Sequence, residues 1–158
     1  TTTILLILLI CPLAQAELIA EINDRGELRI AVQADKPPYA FKQDEHLAGF
    51  DVELGQALAK ELDLRAEFIE TPAEQILPEV ESGKIDVAMS QLRAAQKVDA
   101  ALDVSQPFGS DKLVIPFQKD NPAFESAVNN ALQRIKDDGR LADLEKKWLK
   151  GEQPTAGQ

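Results

Sequence analysis

Ser90, Gln91 and Arg93 follow directly on a short apolar run, Ile85-Asp86-Val87-Ala88-Met89. A hydroxyl, a carboxamide and a guanidinium offer donors to a small polar solute or an anion, and the guanidinium can fork onto a carboxylate. Lys36 and Tyr39 bracket Pro37-Pro38 and supply a second cation and a phenol. Lys36 and Arg93 could together attract an anion; as separate solvated charges they would add little to stability. A buried strand that ends in exposed polar groups and feeds a helix is where open α/β sheets place ligands.

Other chemistries lack their residues. The single cysteine, Cys11, lies in an aliphatic N-terminal stretch, and the single histidine, His46, sits in a polar turn beside Asp44 and Glu45. His46 reads as an exposed loop side chain. There is no phosphate-binding glycine loop, no metal-ligand spacing and no nucleophile elbow. The expectation is a protein that is not an enzyme and uses no cofactor or metal. A net charge of −10 without a lysine or arginine cluster argues against a nucleic-acid partner.

The flanking segments say what must position these residues. Leu28 to Val32 alternates as a first strand after a helical lead-in from Leu18 to Ile22. Pro37-Pro38 forces an extended loop, and Asp44 to Gly49 reads as a polar turn. Gly49-Phe50-Asp51 opens a long helix with Asp51 as its cap, and Leu54, Leu58 and Leu62 form its apolar stripe. Arg65 to Glu70 is a second strand. Thr71-Pro72-Ala73-Glu74 predicts a capping box with proline at the first helical position. Ile76, Leu77 and Val80 supply that helix's buried face, and Gly83 stops it.

Ile85 to Met89 is then a buried third strand, and the alanines of Ala94 to Leu102 predict a helix. Lys112 to Gln118 is another strand, which Pro116 places near an edge or a bend. Asn121-Pro122 caps the longest helix, carrying Phe124, Val128, Leu132 and Ile135, and Leu141, Leu144 and Trp148 mark a last helix packed on the core. Strands alternating with helices predict an α/β domain with a largely parallel sheet.

The chain of 158 residues fits one domain over 17–150. Residues 1–16 read as a signal peptide: Ile4 to Ile10 is aliphatic but too short to span a bilayer, and Ala14-Gln15-Ala16 has the small-x-small cleavage pattern. Cleavage before Glu17 would remove Cys11 and no charge, leaving a secreted domain that depends on its core. Residues 151–158 read as a flexible tail.

In order and spacing, RGELRIAVQADKPPYAF (25–41), GFDVELGQALAKEL (49–62), SGKIDVAMS (82–90), DVSQPF (103–108) and the stretch 121–149 resemble the family 3 bacterial extracellular solute-binding proteins. These are the periplasmic polar amino-acid receptors of ABC importers. The resemblance implies one lobe of a type II periplasmic-binding-protein fold, because a typical member builds a second lobe where this chain runs from DVSQPFGSDKLVIPF straight into its C-terminal helices. It implies an amino acid or other small polar or anionic solute, with an ABC permease as partner. The family's ligand positions are altered here. Lys36 stands where an aromatic residue precedes the prolines, Ala73 where another aromatic closes the site, and Val98 where an arginine grips the ligand carboxylate. Ser90 matches a ligand-facing position. Three readings follow: a solute-binding-like protein with a degenerate or altered site; a single-lobe interaction or sensory module whose uncovered surface meets another protein or a second copy in a homodimer; or a remnant left by deletion.

Overall fold

The computed structural model describes residues 18–149. In chain order the first elements are α1 (Leu18–Arg25), β1 (Glu27–Val32), β2 (Asp35–Lys36), β3 (Ala40–Gln43), β4 (His46–Ala48), α2 (Phe50–Glu61) and β5 (Arg65–Glu70). They are followed by α3 (Ala73–Ser82), β6 (Val87–Met89), β7 (Leu102–Val104), β8 (Pro116–Gln118), α4 (Pro122–Asp137) and α5 (Arg140–Trp148).

Alternation along β1 sets the layers. Leu28, Ile30 and Val32 enter the larger core, while Ala31 between them enters a smaller one, as side chains of a strand must when both faces are covered. β1 is the middle of a parallel sheet ordered β5-β1-β6, with Ile30 opposite both Phe68 and Val87. The larger core takes Ile22 of α1, Leu54 and Leu58 of α2, the α4 stripe Phe124, Val128, Leu132 and Ile135, and Leu141 of α5. The smaller core lies under α3, where Ile76 and Val80 meet Ala31, Ile85, Ala88 and Leu102. This is an α/β fold, a parallel sheet between helices, and it forms a single lobe.

The lobe closes through a hairpin. β7 pairs antiparallel with β8, and the residues between them fold back on themselves: Phe108 N donates to Leu113 O at 2.9 Å and Leu113 N to Phe108 O at 3.0 Å. Buried Ser105 holds its base, accepting Ile115 N at 2.9 Å on Oγ while Ser105 N donates to Ile115 O. The chain then enters α4, and no second lobe stands among the described residues.

Several local expectations are corrected. No helix forms over 94–102. The Ala94 amide goes to Lys112 O, and Leu92 O accepts Val114 N, both at 2.8 Å. Gln96 Oε1 accepts Arg93 N and Asp99 Oδ1 accepts Ala101 N, so the Ala101 amide does not make the bond to Lys97 O that a helix would give it. The alanine propensity, a few tenths of a kcal/mol per residue, is overruled.

Thr71 forms no capping box, because its amide goes to Val32 O and its hydroxyl to Ile69 O. Pro72 is the N-cap residue and the helix starts at Ala73. Asn121 does precede α4 with Pro122 at its start, but its Oδ1 accepts Leu18 N at 3.0 Å instead of capping. The turn at 44–49 is a hairpin, with Asp44 and Glu45 at φ 51° and 67° as its two-residue loop between β3 and β4. The strands expected from Ile85 and from Lys112 shorten to β6 and β8, and Pro116 lies within β8 opposite Val104. Gly83 ends α3 as expected, at φ 84°.

The signal peptide expected over 1–16 and the tail expected over 151–158 lie outside the described residues. Among the described residues no helix is long and apolar enough to cross a membrane.

Candidate functional site

β6 stops at Met89, and two residues later the backbone turns left-handed, with Gln91 at φ 57°. That conformation costs a non-glycine residue about 1–2 kcal/mol. It aims the Gln91 carboxamide inward, where Nε2 donates to Asp51 Oδ2 and, at 3.4 Å, to Met89 O. Half-buried Ser90 lies between, and its hydroxyl makes no hydrogen bond among the described residues.

Asp51 was expected to cap α2. Backbone carbonyls cap it instead: Phe50 N donates to Pro38 O at 3.0 Å and Asp51 N to Tyr39 O at 2.8 Å. The residue before the helix must be glycine, since a Cβ at Gly49 would lie 2.3 Å from Tyr39 O, and its φ is 124°. Asp51 is therefore carried into the protein in the first turn, 2% exposed. Burial pushes its carboxyl up to about 7, and the hydrogen bond from Gln91 pulls the other way without winning.

Tyr39 packs edge-on against Phe50, ring centroids 6.1 Å apart, and its hydroxyl lies 3.5 Å from Asp111 Oδ2. Burial, then the charges of Asp111 and Asp51, push the phenol up, and Arg93 pulls it down. Tyr39, Asp51, Gln91, Arg93 and Asp111 thus surround one place at the carboxyl end of the sheet.

Arg93 is exposed, and its backbone bridges to Leu113. Lys36 is exposed in β2, where its carbonyl accepts Tyr39 N at 2.7 Å. No hydrogen bond or ion pair joins Lys36 to Arg93 among the described residues. Val98 packs against the smaller core. His46 is exposed on β4.

Beyond the ends of β1 and β5 lies an open hollow of about 690 Å³ lined by Gln33, Asp35, Lys42, Glu70, Thr71 and Ala73 among others. Lys42 pairs with Glu70 at 3.0 Å on its wall. Asp51 and Asp111 are the site residues that sequence reasoning missed. Asp51 had a signal: it stands three, four and seven positions before Leu54, Gly55 and Leu58, on the stripe that faces the core. Asp111 had none. No group of three or more His, Cys, Asp or Glu side chains among the described residues could hold a metal ion.

Residues 28–151 match the bacterial extracellular solute-binding proteins, family 3. A probable histidine-binding protein of Campylobacter jejuni is 28% identical over 130 residues, covering 82% of this chain and 50% of the relative. The chain thus spans half the length of that relative.

Among solved structures, the arginine-bound form of domain 1 from TmArgBP superposes with a TM-score of 0.67 at 24% identity, covering 72% of this chain and 97% of that one. The ancestral amino acid-binding protein AncCDT-1, a precursor of cyclohexadienyl dehydratase, gives a TM-score of 0.79 at 22% identity, with 85% of this chain and 100% of that one covered. At these identities the two likenesses concern the fold. The sequence match extends over most of the chain, from β1 to the last helix: the protein belongs to family 3 of the bacterial extracellular solute-binding proteins.

Proposed function

We propose that this chain is a periplasmic solute-binding-like protein related to the amino-acid receptors of ABC importers, with an altered ligand site and no catalytic activity. The domain is residues 17–150, delivered by a cleaved leader over 1–16. The solute is a small polar molecule of the amino-acid class, and it meets Ser90, Gln91 and Arg93 at the end of β6, with Tyr39 and Lys36 across the loop. One observation carries this reading: half-buried Ser90, whose hydroxyl makes no hydrogen bond among the described residues, follows directly on β6 at the end of a parallel sheet where α/β folds take ligands.

The altered position that bears most on affinity is the one for the carboxylate-gripping arginine. Val98, in the position that resemblance assigns to a carboxylate-gripping arginine, is turned into the smaller core. Exposed Arg93 is left as the guanidinium near the site. A single charge-assisted contact contributes about 1.5–3 kcal/mol, which points to weak binding.

Titration calorimetry of residues 17–150 against amino acids and small organic anions tests this. Binding at micromolar to millimolar concentration, weakened about tenfold or more by Arg93→Ala, supports it. Silence across the panel at millimolar concentration overturns it, and would leave the single-lobe interaction module, with a second copy or a permease as partner, to be sought by sedimentation.

A further inference from the structure

Two aspartates of this protein are buried to the same depth and are partnered differently. Asp86, 1% exposed, meets the guanidiniums of Arg25 and Arg29. Asp51, 2% exposed, meets one neutral donor, the Gln91 carboxamide.

The arginines on the elements packed around α2, with Lys42 and Lys147, are engaged elsewhere, and Lys136 of α4 is exposed. Lys147 of α5 binds Glu53, Arg134 of α4 binds Glu61, and Lys42 of β3 binds Glu70. Arg29 of β1 goes to Asp86 and Arg65 of β5 to Glu27. His46 of β4 is exposed. The charge of Asp51 reaches Tyr39, which Asp111 and Arg93 also neighbour, but burial is what opposes the ionisation of Asp51 itself.

The donor also comes from the least regular part of the protein. Residues 90–101 contain no helix and no strand of their own. They are held by the amide bonds of Ala94 to Lys112 and of Val114 to Leu92, and by Val98 against the smaller core. A neutral carboxyl is satisfied by one carboxamide. An ionised one, stripped of water and offered a single neutral donor, is not. The cheapest relief is to readmit water, and the segment that must lift to do so has no helix or strand of its own.

We propose that Asp51 is a positioning residue with a proton switch. Protonated, it holds Gln91 and keeps residues 90–101 closed over the end of the sheet. Ionised, it draws in water and releases the segment, taking Ser90, Gln91 and Arg93 out of register. The burial-driven rise of this carboxyl to about 7 sets the exchange in the neutral range. A solute bound by the closed segment would be held more tightly below neutral pH. The switch itself needs no solute, so it stands or falls apart from the solute-binding reading.

The test is amide hydrogen exchange of the solute-free protein from about pH 5.5 to about pH 8, with rates corrected for the intrinsic effect of pH. The reporters are the Ala94 and Gln96 amides, which are hydrogen-bonded in the closed segment. Their protection should fall by about tenfold or more over that range, while amides of β1 fall less. In Asp51→Asn, which keeps the shape and removes the charge, protection at Ala94 should be flat with pH. In Gln91→Ala it should be low throughout. Flat protection at Ala94 in the unmodified protein overturns the switch, as does an equal fall in Asp51→Asn.

Discussion

Arg29 and Asp86 are joined through backbone and side chain together. The Arg29 amide donates to Asp86 Oδ2 at 2.8 Å, and its guanidinium reaches Oδ1 at 3.0 Å and Oδ2 at 3.3 Å. The same guanidinium donates to Gly83 O at 2.8 Å, while Asp86 N donates to Arg29 O. β1 is thereby fastened to the turn that leads into β6, at the end of the sheet opposite the candidate site. Asp86→Ala leaves two guanidiniums facing a hole and should cost about 3 kcal/mol, the low end for breaking a buried pair because both arginines keep some access to water. Urea unfolding followed by the fluorescence of Trp148, the single tryptophan, measures it.

Asp51 predicts a pH dependence of the whole fold. Its folded value is raised to about 7 from an ordinary carboxyl value. Between roughly pH 4 and pH 7 the native state therefore holds a proton that the unfolded state has lost, and stability falls as pH rises through that window. A shift of this size corresponds to at most about 4 kcal/mol. Asp51→Asn should remove that fall and be the more stable protein above pH 7. Melting temperatures at several pH values decide it; a mutant less stable than the parent at pH 8 contradicts the assignment.

Gly49→Ala should be among the most damaging single-methyl changes in the protein. The new Cβ meets the Tyr39 carbonyl at 2.3 Å, and the backbone conformation is one that L side chains avoid. About 2 kcal/mol or more should be lost. The amides of Phe50 and Asp51 should then lose exchange protection before those of α4.

Trp148→Phe probes the seam between α5 and α2. Glu53 is pushed up by burial, but hydrogen bonds from Lys147 and Trp148 outweigh that and hold its carboxyl below the ordinary range. The stability this supplies is present above the unfolded carboxylate value and lost as pH falls through the folded one. Losing the indole donor should cost about 1 kcal/mol at neutral pH and less near pH 3, read by circular dichroism. The edge-on contact with Phe41, centroids 5.7 Å apart, should survive.

The parts of the fold that rest on spacing were legible in the sequence. The stripes of α2 and α4, the αL stop at Gly83 and the alternation of β1 each depend on residues a few positions apart, and each lies where the pattern put it. Misreadings arose where a distant backbone claimed the same atoms. The Thr71 amide extends the β5 ladder to Val32, so α3 starts only at Ala73, and residues 92–94 pair antiparallel with 112–114 through the Arg93–Leu113 bridge in place of a helix start. Asp51 was misread for a related reason: carbonyls from Pro38 and Tyr39 did the capping, so its side chain was free to go inward. Of the site, Ser90, Gln91 and Arg93 were visible as polar residues ending an apolar run. That Gln91 turns its amide away from solvent onto an aspartate forty residues earlier was not visible locally.

The hairpin between β7 and β8 makes chain length at this point cheap to change. Its two strands lie side by side, so whatever joins them begins and ends at nearly the same spot, while Phe108, Leu113 and Ile115 between them pack in the larger core and Gln106 and Ser110 bond Asn129 of α4 and Glu145 of α5. Each doubling of such a connection adds only about 0.6 kcal/mol of closure entropy. A short turn at Gly109–Lys112 and a separately folding insert are therefore nearly interchangeable endings for the same lobe. Exchanging one for the other would cost buried Glu145 of α5 its hydrogen bond from the Ser110 amide.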